Sequence, residues 1–132
     1  MAWFFEDEAS DYADAVLAAI AASQALVPEH WALEVSNAII VGERRGRTDQ
    51  ASATRFLTLL GSLPIVADPE MYRRAFTDIL AVARLRELTS YDAAYLELAA
   101  RQSAALATLD KPLRKAARRA GVAIFEPTVP KN

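Results

Sequence analysis

The chain has no cysteine, only four glycines and a single histidine. Without thiols, neither disulfides nor zinc–thiolate sites can form. With one histidine, His30 at a helix start beside Trp31, a Ser–His–Asp triad has little support, and His30 reads as structural. So few glycines leave no room for a phosphate-cradling P-loop or a dinucleotide fingerprint, and neither motif is present. No apolar run is long enough to span a bilayer, so no membrane association is expected. The opening "MAWFFEDE" turns acidic at once and lacks the basic start of a signal peptide. Together these absences fit a cytoplasmic protein.

What is present is an ordinary globular mixture: 132 residues, 53% hydrophobic and 24% charged, with a net charge of −2. That length suits a single domain spanning 1–132. Charge is unevenly spread. Residues 1–14 hold Glu6, Asp7, Glu8, Asp11 and Asp14 with no base. Residues 111–119 hold Lys111, Arg114, Lys115, Arg118 and Arg119 with no acid. Two solvated helix faces account for this, and a basic end that attracts a polyanion is the functional alternative.

Hydrophobic periodicity predicts helices alternating with short apolar strands. Helices are expected over 6–22, 29–44 (ending near Gly46) and 47–63, the last capped by Thr48 with Gly61 near its end. A helix over 68–88 takes Asp68 as cap and Pro69 at its first position. Further helices follow over about 90–102 and over 110–121, the latter stopped by Gly121. Strands are expected at "ALVP" (25–28), "PIVA" (64–67), "AALATL" (104–109) and "VAIF" (122–125), before a loose tail, "EPTVPKN". Strands separated by helices imply parallel pairing and an α/β sandwich, with ligands at the carboxyl ends of the strands.

Three acids stand out against this frame. On a helical wheel, Trp31, Ala32, Val35, Ala38, Ile39 and Val41 form an apolar arc, and Glu34 falls inside it between Val41 and Ala38, opposite Ser36 and Asn37. It is either an acid at the arc's edge that reaches water or a carboxylate with a task. In "TSYDAAYLELA" (89–99), Tyr91, Tyr95, Leu96, Leu98 and Ala99 define the apolar side, with Glu97 and Arg101 on the wet side. Asp92 lies between Ala99 and Leu96. Thr89 as N-cap would make Asp92 a first-turn partner of the helix dipole, so capping competes with chemistry. Asp110 follows a predicted strand and precedes a helix, which suits an N-cap, a site carboxylate or both. Three hard oxygen donors gathered at one end of a sheet would suit Mg²⁺ or Mn²⁺.

The stretch "LTSYDAAYLELAARQSAALATLDKPLRKAARRAGV" resembles the C-terminal half of PIN-domain ribonucleases, in particular the VapC-like toxins of VapBC toxin–antitoxin pairs. "VPEHWALEVSNAI" resembles the family segment that carries a helix-borne glutamate, and "AWFFEDEAS" the stretch after the family's first strand. The resemblance implies a PIN-like three-layer sandwich, a short parallel sheet flanked by helices. It also implies a metal-dependent endoribonuclease that cuts structured RNA, with Mg²⁺ or Mn²⁺ as cofactor. Asp92 and Asp110 match metal-ligand positions. Glu34 matches a third acid that binds metal directly or through water, or positions the nucleophile. Thr108 matches a small hydroxyl position beside the ligands. A homodimer and a cognate VapB-like antitoxin are the implied partners. Arg44, Arg45, Arg47, Lys111 and Arg114 are candidates for RNA phosphate contacts, beside ordinary surface roles. One departure stands against the family pattern: its first strand, with a further aspartate, has no counterpart here. A start internal to a longer protein, a decayed copy, or closure by a partner chain would each explain it. The alternative function is a catalytically inactive PIN-like module that binds antitoxin or RNA.

Overall fold

The computed structural model describes residues 11–126. The expectations for residues 6–10, for "AWFFEDEAS" up to Ser10 and for the tail after Glu126 lie outside them. The chain divides into two compact units, Met1–Val66 and Ala67–Asn132.

In the first unit, α1 (Asp11–Ala22) leads into strand β1 (Ala25–Val27), then α2 (Trp31–Arg44) and α3 (Gln50–Gly61). Strand β2 (Ile65–Ala67) pairs with β1 in a short parallel two-stranded sheet. The α2 periodicity works as expected. Val35 and Ile39 meet Ala53 and Phe56 of α3 in one buried cluster, with Trp31 and Leu60 at its margin. Gly46, at a φ of +71°, ends α2, and the Arg47 N–H closes back on the Gly42 carbonyl at 2.8 Å. That left-handed turn is the one glycine supplies without steric penalty. The cap of α3 is Asp49, not Thr48: its Oδ1 accepts the Ser52 N–H at 2.8 Å. Either residue type caps well, and Asp49 alone stands three residues before that amide.

The second unit is mainly helical. Asp68 and Pro69 precede the helix rather than start it, because α4 begins at Met71 (Met71–Arg74). A π-helical turn (Ala75–Ile79) follows, then α5 (Leu80–Arg86). A π turn holds one extra residue in its ring. Ile79 is buried here, while Tyr72 and Phe76 stand in solvent. Helix α6 (Ser90–Arg101) is the central element. Its Ala93 and Ala94 pack against Ile79 and Ala83. Its Leu96 and Ala99 join Leu106, Val122 and three residues of α7 (Lys111–Arg119): Leu113, Ala116 and Ala117. Alanines on α6 and α7 allow close helix approach. Gly121, at a φ of +75°, stops α7 as its position predicts.

The two later predicted strands are reduced. "AALATL" and "VAIF" meet in one parallel bridge, Leu106 with Ile124. The Leu106 N–H donates to the Ala123 carbonyl, and the Phe125 N–H donates to the Leu106 carbonyl, each at 2.8 Å. Leu106 is the only buried residue of 104–109, so "AALATL" is an exposed connection with one anchored residue and not a buried strand. An apolar run reports hydrophobicity, whereas a strand also needs a neighbour for its backbone. No described helix is long and apolar enough to cross a membrane.

Candidate active site

Helix α6 starts with a formed N-cap. Thr89 is extended, and its Oγ1 accepts the Asp92 N–H at 3.1 Å. Asp92 thus stands in the first turn, half-buried, where the helix's unpaired amides favour a negative charge. Capping and chemistry are compatible: Thr89 supplies the cap, and the carboxylate of Asp92 is the group held at the helix end.

Asp110 caps α7. Its Oδ2 accepts the Leu113 N–H at 2.9 Å, and Pro112 sits in the first turn, where no amide is needed. The residue is exposed. Thr108 shapes the approach to it. Its Oγ1 accepts the Asp110 N–H at 3.1 Å, and its carbonyl accepts Nε of Arg114 at 2.6 Å. Nη1 of Arg114 lies 3.7 Å from Glu126. Arg114, a candidate phosphate contact from sequence, is therefore mostly covered and ties α7 to the preceding loop. Lys111 is exposed.

Glu34 lies in the first unit. Its side chain is 54% exposed and stands 3.3 Å from Nε2 of His30, one turn earlier. Of the two readings its sequence position allowed, the edge that reaches water is the observed one. Ala32, on the predicted apolar arc, is also exposed. Arg44, Arg45 and Arg47 lie exposed around the end of α2.

The most buried acids are ones that periodicity placed elsewhere. Glu97 and Arg101, expected on the wet face of α6, form with Asp68 and Arg74 an ionic network inside the second unit. Glu97 is 6% exposed and Asp68 is 5% exposed. Arg101 donates to both oxygens of Asp68 (3.3 and 2.5 Å) and to both of Glu97 (2.9 and 3.1 Å). Nη1 of Arg74 donates to Glu97 (3.2 Å) and Asp78 (2.6 Å). Oδ1 of Asp68 also accepts the Glu70 N–H at 3.1 Å. Burial, the largest single influence, pushes the Asp68 carboxyl up. The Arg101 hydrogen bonds, the Glu70 N–H and the charges of Arg101 and Arg74 outweigh it and hold Asp68 below the usual range. Bonds to Glu97 and Asp68 hold the Arg101 guanidinium firmly protonated. Buried charges persist only when paired in this way. The i, i+4 spacing of Glu97 and Arg101 was a readable signal of pairing, but Asp68 lies 33 residues from Arg101 and gave none.

These acids sort by what holds their oxygens. Asp68 and Glu97 already accept guanidinium bonds at every carboxylate oxygen, which makes them structural. Asp110 uses Oδ2 for the cap. As hard oxygen donors, the carboxylates of Asp92 and Asp110 fit a divalent cation that keeps most of its water ligands. Among the described residues, no group of three or more His, Asp or Glu side chains gathers as a metal site.

Comparison with known proteins gives a consistent answer. The PIN domain family matches residues 1–119. The chain is also similar to a protein of Pyrobaculum aerophilum named exonuclease VapC9, 37% identical over 81 residues. That match covers 61% of this chain and 57% of the relative, so the chain spans just over half of that protein's length.

Proposed function

Because the chain belongs to the PIN-domain family, we propose that it is a metal-dependent nuclease of the toxin–antitoxin type, acting on RNA phosphodiester bonds. The observation that carries this reading is the family match across residues 1–119. The two helix-end carboxylates support it. In this reading Asp92 and Asp110 hold Mg²⁺ or Mn²⁺, and Glu34 joins them directly or through water. When bound, such a cation supplies a water of lowered pKa and stabilises charge on the phosphoryl oxygens during in-line displacement.

The chain's own residues prepare that chemistry. The Leu113 N–H fixes the Asp110 side chain and favours its ionised form. Thr108 and Arg114 hold the turn that presents Asp110, which makes Thr108 a positioning residue. The first turn of α6 favours the charge of Asp92 in the same way. Arg44, Arg45, Arg47 and Lys111 are exposed cations available to RNA phosphates, while Arg114 contributes through the loop it holds.

The relative's name specifies an exonuclease, whereas the residues of this chain resemble endoribonucleases. We favour internal cutting, and the product lengths decide it. The same reading takes residues 1–132 as one domain in the cytoplasm, assembled as a homodimer and inhibited by a VapB-like antitoxin.

RNA is incubated with the protein and Mg²⁺ or Mn²⁺, with chelator as control, and with Asp92→Asn and Asp110→Asn variants. Each substitution is expected to lower cleavage by about 100-fold or more, since cation charge stabilisation amounts to several kcal/mol. Undiminished cleavage by Asp92→Asn, or in chelator, overturns the assignment. RNA binding without cleavage would establish the binding-module reading, which the lack of a gathered three-acid group among the described residues favours.

A further inference from the structure

Tyr91 breaks the pattern of its own helix. Periodicity places it with Tyr95, Leu96, Leu98 and Ala99 on the apolar side of α6. In the structure the other four are at least half-buried, yet Tyr91 is 69% exposed. It belongs to neither hydrophobic cluster of the second unit, while Tyr95, one turn later, packs against the first. The buried arc of α6 begins at Ala93, and Tyr91 lies ahead of it in the first turn. A large ring is therefore held in solvent on a rigid helix end, where its contribution to the core is small.

Its neighbour is Asp92. Consecutive Cα atoms are about 3.8 Å apart, so whatever phosphodiester reaches the Asp92 carboxylate passes beside this ring. An aromatic face at that place suits a nucleobase. Every base has a π-face, and stacking on an exposed aromatic tolerates any sequence. In a duplex each base is already sandwiched between its neighbours, so only an unpaired base has a face to offer.

We propose that Tyr91 is a base-stacking residue that seats an unpaired nucleotide beside Asp92, and that the substrate is recognised as single-stranded RNA, including the loops of folded RNAs. This rests on the nuclease reading for the role of Asp92, but its test does not depend on cleavage. The phosphate-contacting cations act on the backbone and cannot tell single strand from duplex by themselves. Tyr91 supplies that distinction.

The experiment measures binding of a short fluorescent RNA, single-stranded or as a blunt duplex, to the full chain in chelator so that no cleavage intervenes. Tyr91→Ala is expected to weaken single-strand binding roughly 5- to 100-fold, the range for losing one base stack, and to leave duplex binding unchanged. Tyr91→Phe is expected to bind like the parent, which separates the ring from its hydroxyl. Thermal melts confirm that both variants are folded, as expected for an exposed side chain. Equal single-strand binding by Tyr91→Ala and the parent overturns the proposal. So does an equal loss on single strand and duplex, or no single-strand binding by the parent. Failure here with intact metal-dependent cleavage removes only the role of Tyr91. Tyr91-dependent binding without any cleavage removes only the nuclease reading.

Discussion

Asp92 and Glu97 stand five positions apart on the same helix and do opposite things. Glu97 is buried, and two arginines saturate its oxygens. Asp92 is half-buried in the first turn, where a backbone cap and the helix dipole favour its charge. The difference teaches how to read acids on apolar helices. A carboxylate enclosed by guanidinium groups acts as a strut, because its lone pairs are already used. One held at a helix end keeps its charge while remaining reachable. Depth of burial alone would have picked the wrong residue as the chemical one.

The largest expected break of this comparison comes from Glu97→Ala. It leaves Arg74 and Arg101 facing a partly buried site without one counter-charge, and is expected to lower unfolding free energy by about 3–5 kcal/mol. Glu97→Gln, which keeps the shape, should fall short of that loss. Asp92→Asn is expected to change stability by no more than about 1 kcal/mol, the scale of a helix-dipole contact. Urea titrations of the three variants check this, and comparable losses at both positions would erase the distinction.

The comparison sharpens with acid. Asp68 has a folded-state pKa held below its ordinary value of 3.8. Between those two values the unfolded chain binds more protons than the folded one. The stabilisation by Asp68 is therefore fully present above the ordinary value and is lost as pH falls through the folded one. Melting temperature should drop over that acidic window, and Asp68→Asn, less stable at neutral pH, should show a flatter drop. An identical acid profile in the variant would remove Asp68 from this role.

The smallest effect concerns Asp110, where strut and chemistry share one side chain. Asp110→Ala loses the cap and should cost about 1 kcal/mol, whereas Asp110→Asn caps as well as Asp. If thermal melts show Asp110→Asn near the parent while its cleavage is lost, the two roles are separated. Equal destabilisation by Ala and Asn would show that the cap does not depend on Oδ2.

Much of this was legible in the residues. The caps at Thr89 and Asp110, the stop at Gly121, the two strands of the sheet and the helix core of Val35, Ile39, Leu96 and Leu113 all follow from local pattern. These features are local because each depends on contacts within a turn or on one repeating face. The resemblance of "YDAAYLELA" and "LATLDKPLRKAA" to the PIN family agrees with the match over residues 1–119. The errors share a cause. The wheel of α6 put Glu97 in water and Tyr91 in the core because it counts hydrophobicity around one helix and cannot count what surrounds it. The strand expected at 104–109 failed because pairing depends on a neighbouring backbone, and only Leu106 has one.

The sequence by itself determined where helices begin and end, which residues are apolar, and which acids stand at helix starts. Capping and periodicity act within a few residues, so no long-range partner is needed to specify them. Only the tertiary structure decided which acids are already neutralised. Asp68 and Arg101 meet across 33 residues of chain, and burial makes that pairing obligatory. It also decided that Tyr91 stands in solvent beside Asp92, because the exposure of one ring depends on which faces of α6 its neighbours cover.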